Sequence, residues 1–117
     1  ATFLQTLNTY LPEDAIVSAD IGNHRLWVCD QLNVSHPEGL LQSCEFDAMG
    51  FSLPAAIGAS IAQTGRKIIS ISGDGGFVHT FGELSVAKEL GQNTELFHFK
   101  TIEMPTNNHI LIFKKYS

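Results

Sequence analysis

The run from Ile68 to Phe77, with the sequence IISISGDGGF, constrains the fold more than any other part of the chain. Its first half is short, apolar and rich in isoleucine, as expected of a strand buried on both faces of a parallel sheet. Three glycines in its second half let the backbone turn sharply and come close to a ligand. Because a helix is expected to follow, the strand, the glycines and the helix N-terminus together predict a phosphate site.

Asp74 lies between these glycines and adds a hard oxygen ligand to the predicted phosphate site. A carboxylate in this position could hold Mg²⁺ against a phosphate group. The same residues are also compatible with an ordinary tight turn, because Asp-Gly is a common turn dipeptide. The run by itself leaves both interpretations open.

Composition limits the class of protein. A chain of 117 residues holds one domain at most, and a hydrophobic content of 44% predicts a folded one. The net charge of −5 with no basic stripe argues against nucleic acid and anionic membranes as partners, and no apolar run is long enough for a membrane helix. Cys29 and Cys44 form no disulfide framework, which predicts reduced thiols in a cytoplasmic protein.

The hydrophobic pattern predicts alternating helices and strands. Predicted helices are Thr2–Leu11, Pro54–Gln63 and Thr80–Leu90, and predicted strands are Ala15–Ala19, Leu40–Phe46, Lys67–Ser72, Glu95–Thr101 and Ile110–Phe113. Thr80 and Glu83 have the spacing of a capping box, and the stretch Ile21–Pro37 is predicted to be a loop. This order predicts an α/β fold, a mostly parallel sheet with helices on both faces. Ligands of such sheets bind at the carboxyl ends of the strands, where Asp20 and Asp74 fall.

Three further segments carry a resemblance to a known family. Ala48–Ser60 has the sequence AMGFSLPAAIGAS, Ser18–Trp27 has SADIGNHRLW, and Gly82–Gly91 has GELSVAKELG. With GDGGF, they resemble the pyrophosphate-binding domain of thiamin-diphosphate-dependent enzymes such as acetolactate synthase. The resemblance covers about Ala15 to Asn93, and it implies the Rossmann-like fold of that domain with thiamin diphosphate and Mg²⁺ as cofactors.

The resemblance also implies roles for individual residues. It makes Asp74 a Mg²⁺ ligand and brings the backbone of Gly73, Gly75 and Gly76 to the diphosphate. The loop of Gly22, Asn23 and His24 would lie at the diphosphate end, although a loop histidine is also compatible with simple solvent exposure.

The segment Asp47, Ala48 and Met49 would lie along the cofactor rings. Met49 would bend the cofactor and the backbone carbonyl of Asp47 would accept a hydrogen bond from its amino group, although methionine also commonly fills core gaps. Asp47 stands where related enzymes usually carry a small residue, and a carboxylate beside a water-excluded pocket is costly unless it is paired.

The second metal ligand departs from the family pattern. The family's usual Asn would fall near Lys100 or Thr101, but the chain carries Asn107 and Asn108 seven positions later. An insertion would make Asn108 the ligand, with the backbone carbonyl of Ile110 beside it. Alternatively, the sequence after about Asn93 has left the family and the pair is a coincidental turn.

The resemblance implies carbon–carbon bond cleavage or formation on a 2-oxo acid such as pyruvate, by a homo-oligomer. The activating Glu would come from another domain or subunit, so no catalytic residue is predicted here and the chain alone would be inactive. We expect residues 1–117 to form a single partial domain, truncated at its C-terminus. The alternative is a non-catalytic remnant or interaction subunit. A generic nucleotide binder is weaker, because neither a P-loop nor a dinucleotide fingerprint is present.

Overall fold

The computed structural model describes residues 2–63, 65–90, 93–100 and 109–116. Five helices and five strands are assigned in this part of the chain. The helices are α1 (Thr2–Tyr10), α2 (Asn23–Gln31), α3 (Ser52–Ala62), α4 (Asp74–Thr80) and α5 (Leu84–Glu89), with single 3₁₀ turns at Pro37–Gly39 and Phe81–Glu83. The strands are β1 (Ile16–Ala19), β2 (Leu40–Leu41), β3 (Ile68–Gly73), β4 (Asn93–Lys100) and β5 (His109–Tyr116).

The strands form one sheet in the order β2-β1-β3-β5-β4. β2, β1 and β3 are parallel, with Val17 opposite Leu40 on one side and Ile69 on the other. β5 runs antiparallel to both of its neighbours, and β4 therefore has the direction of β3. The prediction of an α/β fold with a mostly parallel sheet is confirmed, with β5 as the one reversed strand among those described.

The parallel strands are covered by helices on both faces, as predicted. Side chains alternate along a strand, so successive residues of β1 and β3 face opposite sides of the sheet. One face packs against α1 and α2 through a cluster of buried residues: Leu4, Val17, Ala19, Val28, Leu32, Ile69 and Ile71. The other face packs against α3, where Ile16 and Ile68 meet Ala56. Leu53 and Ile57 of α3 in turn pack against Ala87 of α5.

Buried serines join the start of α3 to the sheet. The Ser18 hydroxyl donates to the main-chain oxygen of Ser52 at 2.9 Å, and the Ser52 hydroxyl donates to the main-chain oxygen of Ser18 at 2.8 Å. The Ser70 hydroxyl lies 2.6 Å from that of Ser52. Because each of these buried polar groups has a partner, the helix can pack closely on small polar side chains without a desolvation penalty.

Two predictions between β1 and α3 are wrong in extent. The stretch Ile21–Pro37 contains a full helix, α2, instead of a loop. Its apolar stripe is narrow, since only His24 and Val28 are buried within it, and this explains why the hydrophobic pattern did not indicate a helix. The predicted strand Leu40–Phe46 pairs only at Leu40 and Leu41, because the chain then leaves the sheet.

The predicted helix Thr80–Leu90 is also wrong in its start. A helix begins directly after β3 at Asp74, and α5 begins only at Leu84 after a 3₁₀ turn. Thr80 ends α4 and forms no side-chain cap, and its buried Oγ1 has no hydrogen-bond partner in the described part of the chain. The Thr80–Glu83 spacing therefore falls on the 3₁₀ turn between α4 and α5. A helix does begin at the glycine-rich run, but it starts at Asp74 and includes Gly75 and Gly76, which were predicted to form a loop before it.

Candidate functional site

The ends of the adjacent parallel strands β1 and β3 bring two turns together at one edge of the sheet. The main-chain N–H of Asp20, just after β1, donates to the carbonyl oxygen of Ile71 in β3 at 2.9 Å. Gly22 then precedes α2, and Gly73 directly precedes α4. This is the carboxyl edge of the sheet, where ligands of parallel α/β folds bind.

The imidazole of His24 lies between these two turns. A Cβ atom added to Gly22 would lie 2.8 Å from His24 Cε1, and one added to Gly73 would lie 3.4 Å from the same atom. Gly22 also has a φ of 141°, a conformation that side chains rarely adopt. Two glycines therefore make room for the ring, which brings Gly22, His24 and Gly73 together. Their predicted contacts with the diphosphate stay predictions.

His24 is buried, and its Nε2 has no hydrogen-bond partner among the described residues. Burial lowers the pKa of His24 from its ordinary value of 6.5, and this effect outweighs the Asp20 charge and the hydrogen bond to the Asp20 main chain, which raise it. The ring is thus neutral at pH 7. A buried ring nitrogen without a partner is unusual in a folded protein, and a ligand atom or a water molecule could supply that partner.

The segment before α3 approaches the glycines of α4. A Cβ added to Gly75 would lie 3.1 Å from the Cε of Met49, so the methionine side chain covers Gly75. Met49 is 52% exposed and is not a core residue. Gly50 has a φ of 86° and lies against His79 and Thr80 at the end of α4. The structure thus brings Met49 next to Gly75, and its predicted contact with the cofactor stays a prediction.

Asp47 adopts the left-handed backbone region with a φ of 47°, a conformation that glycine adopts most easily. Its carboxylate, 55% exposed, accepts a hydrogen bond from Arg25 Nη1 at 2.6 Å. This hydrogen bond raises the pKa of Arg25 above its ordinary value. The expected cost of a carboxylate beside a water-excluded pocket is thus relieved, because Asp47 is paired and partly solvated.

Asp20 lies at the centre of this arrangement. The sequence placed it at the carboxyl end of a strand, where ligands bind, but indicated no role for its side chain. Its carboxylate is fully buried and accepts hydrogen bonds from the main-chain N–H groups of Ile21 at 2.8 Å and Gly50 at 3.0 Å. A Cβ on Gly76 would lie 2.8 Å from Asp20 Cγ, so this glycine allows α4 to pack against the carboxylate. The available signal was an Asp placed directly after an apolar strand and two residues before a glycine.

Residues 20–100 match the family described as thiamine pyrophosphate enzyme, C-terminal TPP binding domain. The chain belongs to this family. The large subunit of acetolactate synthase isozyme 2 from Escherichia coli is 36% identical over 85 residues, 73% of this chain and 16% of that protein. The large subunit of acetolactate synthase from Lactococcus lactis is 36% identical over 88 residues, 75% of this chain and 15% of that protein.

An uncharacterized protein of Methanocaldococcus jannaschii is similar over a longer stretch, 35% identical over 112 residues, 86% of this chain and 23% of that protein. The chain thus spans less than a quarter of the length of each of these three relatives. The similarity identifies the thiamine pyrophosphate-binding domain of acetolactate synthase-like proteins.

The predicted metal site of this thiamine pyrophosphate-binding domain is only partly described. Asp74 is the first residue of α4, but its side chain and all of Asn108 lie outside the described residues. The backbone of Ile110 pairs with Gly73 across β3 and β5, which places Ile110 next to the residue before Asp74. Within the described ranges, no group of three or more His, Cys, Asp and Glu side chains could hold a metal ion. The Mg²⁺ site stays a prediction.

The residues present fit a diphosphate group. Side chains cannot be added at Gly22 or Gly76 without a shift of His24 or Asp20, so the main chain stays bare at both turns. Gly22 and Gly73 are the N-cap residues of α2 and α4, and neither supplies a side-chain cap. The starts of these two helices and the buried Nε2 of His24 therefore lie at one edge of the sheet, and helix N-termini suit an anionic ligand.

Proposed function

We propose that this chain binds thiamin diphosphate with Mg²⁺ in an acetolactate synthase-like enzyme that cleaves or forms carbon–carbon bonds on a 2-oxo acid such as pyruvate. The observation that supports the proposal most strongly is the meeting of two turns at the carboxyl edge of the sheet. His24 and Gly22 come from one turn, Gly73 and Gly75 come from the other, and Met49 from the segment before α3 covers Gly75. Membership of the thiamine pyrophosphate enzyme family supports thiamin diphosphate as the ligand at this edge of the sheet.

The diphosphate would lie between the start of α2 and the start of α4. Main-chain N–H groups at Gly22, Asn23, Gly75 and Gly76 would point toward its oxygens, since the first amides of a helix carry a partial positive charge. His24 would add a ring nitrogen that is buried and has no partner among the described residues. The hydrogen bond to the Asp20 main chain raises the pKa of His24, so the ring is its donor. With that proton in place, Nε2 of the neutral ring accepts hydrogen bonds, and it would donate to a diphosphate oxygen only when the ring is protonated.

Mg²⁺ would be held by Asp74, Asn108 and the carbonyl oxygen of Ile110. The ion would neutralise the diphosphate so that the Asp74 carboxylate could approach it, and oxygen ligands are those that Mg²⁺ prefers. The pairing of Ile110 with Gly73 supports this assignment, because it brings the backbone of β5 next to the start of α4.

The ring end of the cofactor would lie beside the segment Asp47, Ala48 and Met49. Met49 would support the bent form of the cofactor from a position over Gly75, and the carbonyl of Asp47 would accept from its amino group. The unusual backbone conformation of Asp47 directs that carbonyl differently from an extended residue. When bound, the cofactor supplies the stabilisation of the substrate carbanion, while the residues of this chain bind and orient it.

A partner must complete the site. The activating Glu would come from another domain or from a second subunit, in a homo-oligomer, because the chain spans 16% of the Escherichia coli relative. Large apolar side chains are exposed on the elements that carry the site, namely Leu26, Phe46, Met49, Val78 and Phe81. Exposed apolar side chains of this kind suit a covering subunit. We also propose a cytoplasmic location, supported by the two exposed free thiols; no helix in the described ranges is long and apolar enough to cross a membrane.

A non-catalytic interaction subunit is the second candidate. One observation favours it: β4 ends at Lys100, where the family's metal-binding Asn is expected. Such a subunit would keep the fold and its contacts with other chains but would not bind the cofactor through Mg²⁺.

Calorimetric titration separates the two candidates. We expect saturable binding of thiamin diphosphate with Mg²⁺ and loss of binding in EDTA, with no binding of ATP or NAD. Asp74→Ala should abolish the Mg²⁺-dependent binding, whereas the control Asp30→Ala, an exposed position of α2, should bind as the unaltered chain does. Absence of binding to a chain shown to be folded, or binding unaffected by Asp74→Ala, would contradict the proposed site.

A further inference from the structure

We propose that Asp20 is a positioning residue, whose buried carboxylate holds the Met49–Gly50 segment against α4 and so sets the place of Met49 in the site. The effect of Asp20 on the cofactor rests on the proposed function. The contacts of Asp20 with its neighbours are independent of that function. Asp20 is 0% exposed and directly follows β1, the strand at the centre of the parallel part of the sheet.

The carboxylate gathers main-chain N–H groups from two segments. Oδ1 accepts from Ile21 at 2.8 Å and from Gly50 at 3.0 Å. Oδ2 accepts from Gly50 at 3.1 Å and from Ser52 at 3.4 Å. Gly50 and Ser52 are 30 and 32 residues away in the sequence, so the carboxylate connects the end of β1 to the segment before α3.

Asp20 also serves the two helix N-termini that face it. α3 has no side-chain cap from its own N-cap residue, Phe51, and the N–H of its first residue, Ser52, donates to Asp20. α4 places Gly76 so close that any Cβ there would lie 2.8 Å from Asp20 Cγ. A carboxylate is favourable at this point because the N-terminus of α3 carries a partial positive charge and its first N–H donates to Asp20.

These contacts reach the cofactor site through Met49. Gly50, held by both carboxylate oxygens, follows Met49 directly in the chain. Gly75, which Met49 covers, directly precedes Gly76, which packs on Asp20. The carboxylate thus sets the distance between Met49 and the glycine-rich turn from both sides, without touching the cofactor itself.

An amide cannot replace this carboxylate. Both oxygens of Asp20 accept hydrogen bonds from N–H groups, and the Nδ2 of an Asn would face an N–H group in either orientation. The start of α3 has a separate connection to the sheet through the Ser18 and Ser52 hydroxyls. Asp20→Asn should therefore release the Met49–Gly50 segment while α3 stays packed.

Amide hydrogen exchange measures this directly and needs no ligand. In Asp20→Asn we expect the Gly50 amide to exchange at least about tenfold faster, because it loses a hydrogen bond to a charged group. The amides of Ile69 and Ile71 in β3, and every amide in the control Asp30→Asn, should keep the protection of the unaltered chain. Unchanged protection of Gly50 in Asp20→Asn would overturn the proposal.

A second variant approaches the carboxylate from the other side. Gly76→Ala places a Cβ against Asp20 Cγ and should also speed exchange at Gly50 while β3 stays protected. Loss of protection throughout β3 in both variants would likewise overturn the positioning role, because the carboxylate would then support the whole fold.

Thiamin diphosphate titrations with Mg²⁺ test the connection to Met49. We expect Asp20→Asn and Met49→Ala each to weaken binding about tenfold, and the double variant to be little weaker than either one, because both changes act on one contact. Fully additive losses would show that Asp20 does not act through Met49. Absence of binding by the unaltered chain would contradict the proposed function alone, and the exchange experiment would still decide the role of Asp20.

Discussion

The β1–α2 and β3–α4 turns both join a strand to a helix at the carboxyl edge of the sheet, but different residues form them. Each joins a parallel strand to a helix, and each has a glycine just before the helix with no side-chain cap among the described residues. Gly22 has a φ of 141° and touches His24, so its turn depends on a conformation that only glycine adopts easily. Gly73 has an ordinary extended conformation, with a φ of −74° and a ψ of 170°.

The two turns are held in place by different kinds of residue. The first turn has few glycines and is held by buried polar side chains, Asp20 and His24. The second has no such side chain of its own in the described part of the chain, and its bare backbone packs against side chains from elsewhere, Asp20 and Met49. Residues of the first turn thus support both, and changes there should have the larger effects.

Gly22→Ala should have the largest effect. The substitution imposes a left-handed conformation on alanine and places its Cβ 2.8 Å from the His24 ring. Together these should lower the free energy of unfolding by about 2–4 kcal/mol, measured by urea denaturation. Gly58→Ala is the matched control, because no described atom lies within 4 Å of its Cβ and alanine favours the helix. A Gly22→Ala chain as stable as the Gly58→Ala chain would show that the turn is not constrained as described.

Gly76→Ala and Gly73→Ala should differ in their effect on stability, because Gly76 is packed closely against a side chain and Gly73 is not. Gly76→Ala places a Cβ 2.8 Å from Asp20 Cγ and should cost about 1–3 kcal/mol of stability. Gly73→Ala meets only ordinary contacts at 3.4 Å and 3.5 Å from His24 and should cost less than about 1 kcal/mol. Chemical denaturation of the two variants measures their free energies of unfolding. A Gly73→Ala chain less stable than the Gly76→Ala chain would contradict the close packing of Gly76 against Asp20.

The same contrast explains which elements could be predicted from the sequence. β3 was predictable because its isoleucine run and the glycines after it are local signals. α2 was not, because much of its support is distant: the Asn8 side chain of α1 donates to the carbonyl of Gln31 at 2.6 Å and accepts from the N–H of Asn33 at 2.7 Å. These contacts satisfy the C-terminal end of α2 and leave no pattern within the helix itself.

Some features of the candidate site could also be predicted from the sequence, and others could not. The family resemblance singled out both Met49 and the glycine-rich run, and the structure shows that they are in contact. The role of Asp20 depends on partners such as Gly50 and Ser52, which no local motif connects to it. Tertiary hydrogen bonds to main-chain groups have no sequence signature, because every residue type except proline offers the same N–H donor.

The smallest expected effect is on the pH dependence of stability, and it arises in the first turn. Burial lowers the pKa of His24 in the folded chain, and the charge and main chain of Asp20 offset part of that effect. As the pH falls below the ordinary value of 6.5, the unfolded chain binds a proton that the folded chain does not, so stability falls between 6.5 and the lower folded pKa. Above 6.5 the ring is neutral in both states and adds nothing to the pH dependence of stability.

Urea denaturation at pH 7.5 and pH 5.5 should therefore show a loss of stability at the lower pH, and this loss should be smaller in His24→Gln. His79→Gln, at an exposed position of α4, should leave the loss unchanged. An equal loss in the unaltered chain and in His24→Gln would show that His24 is not buried in the folded state, and the contrast between the two turns would then lose one of its two buried polar groups.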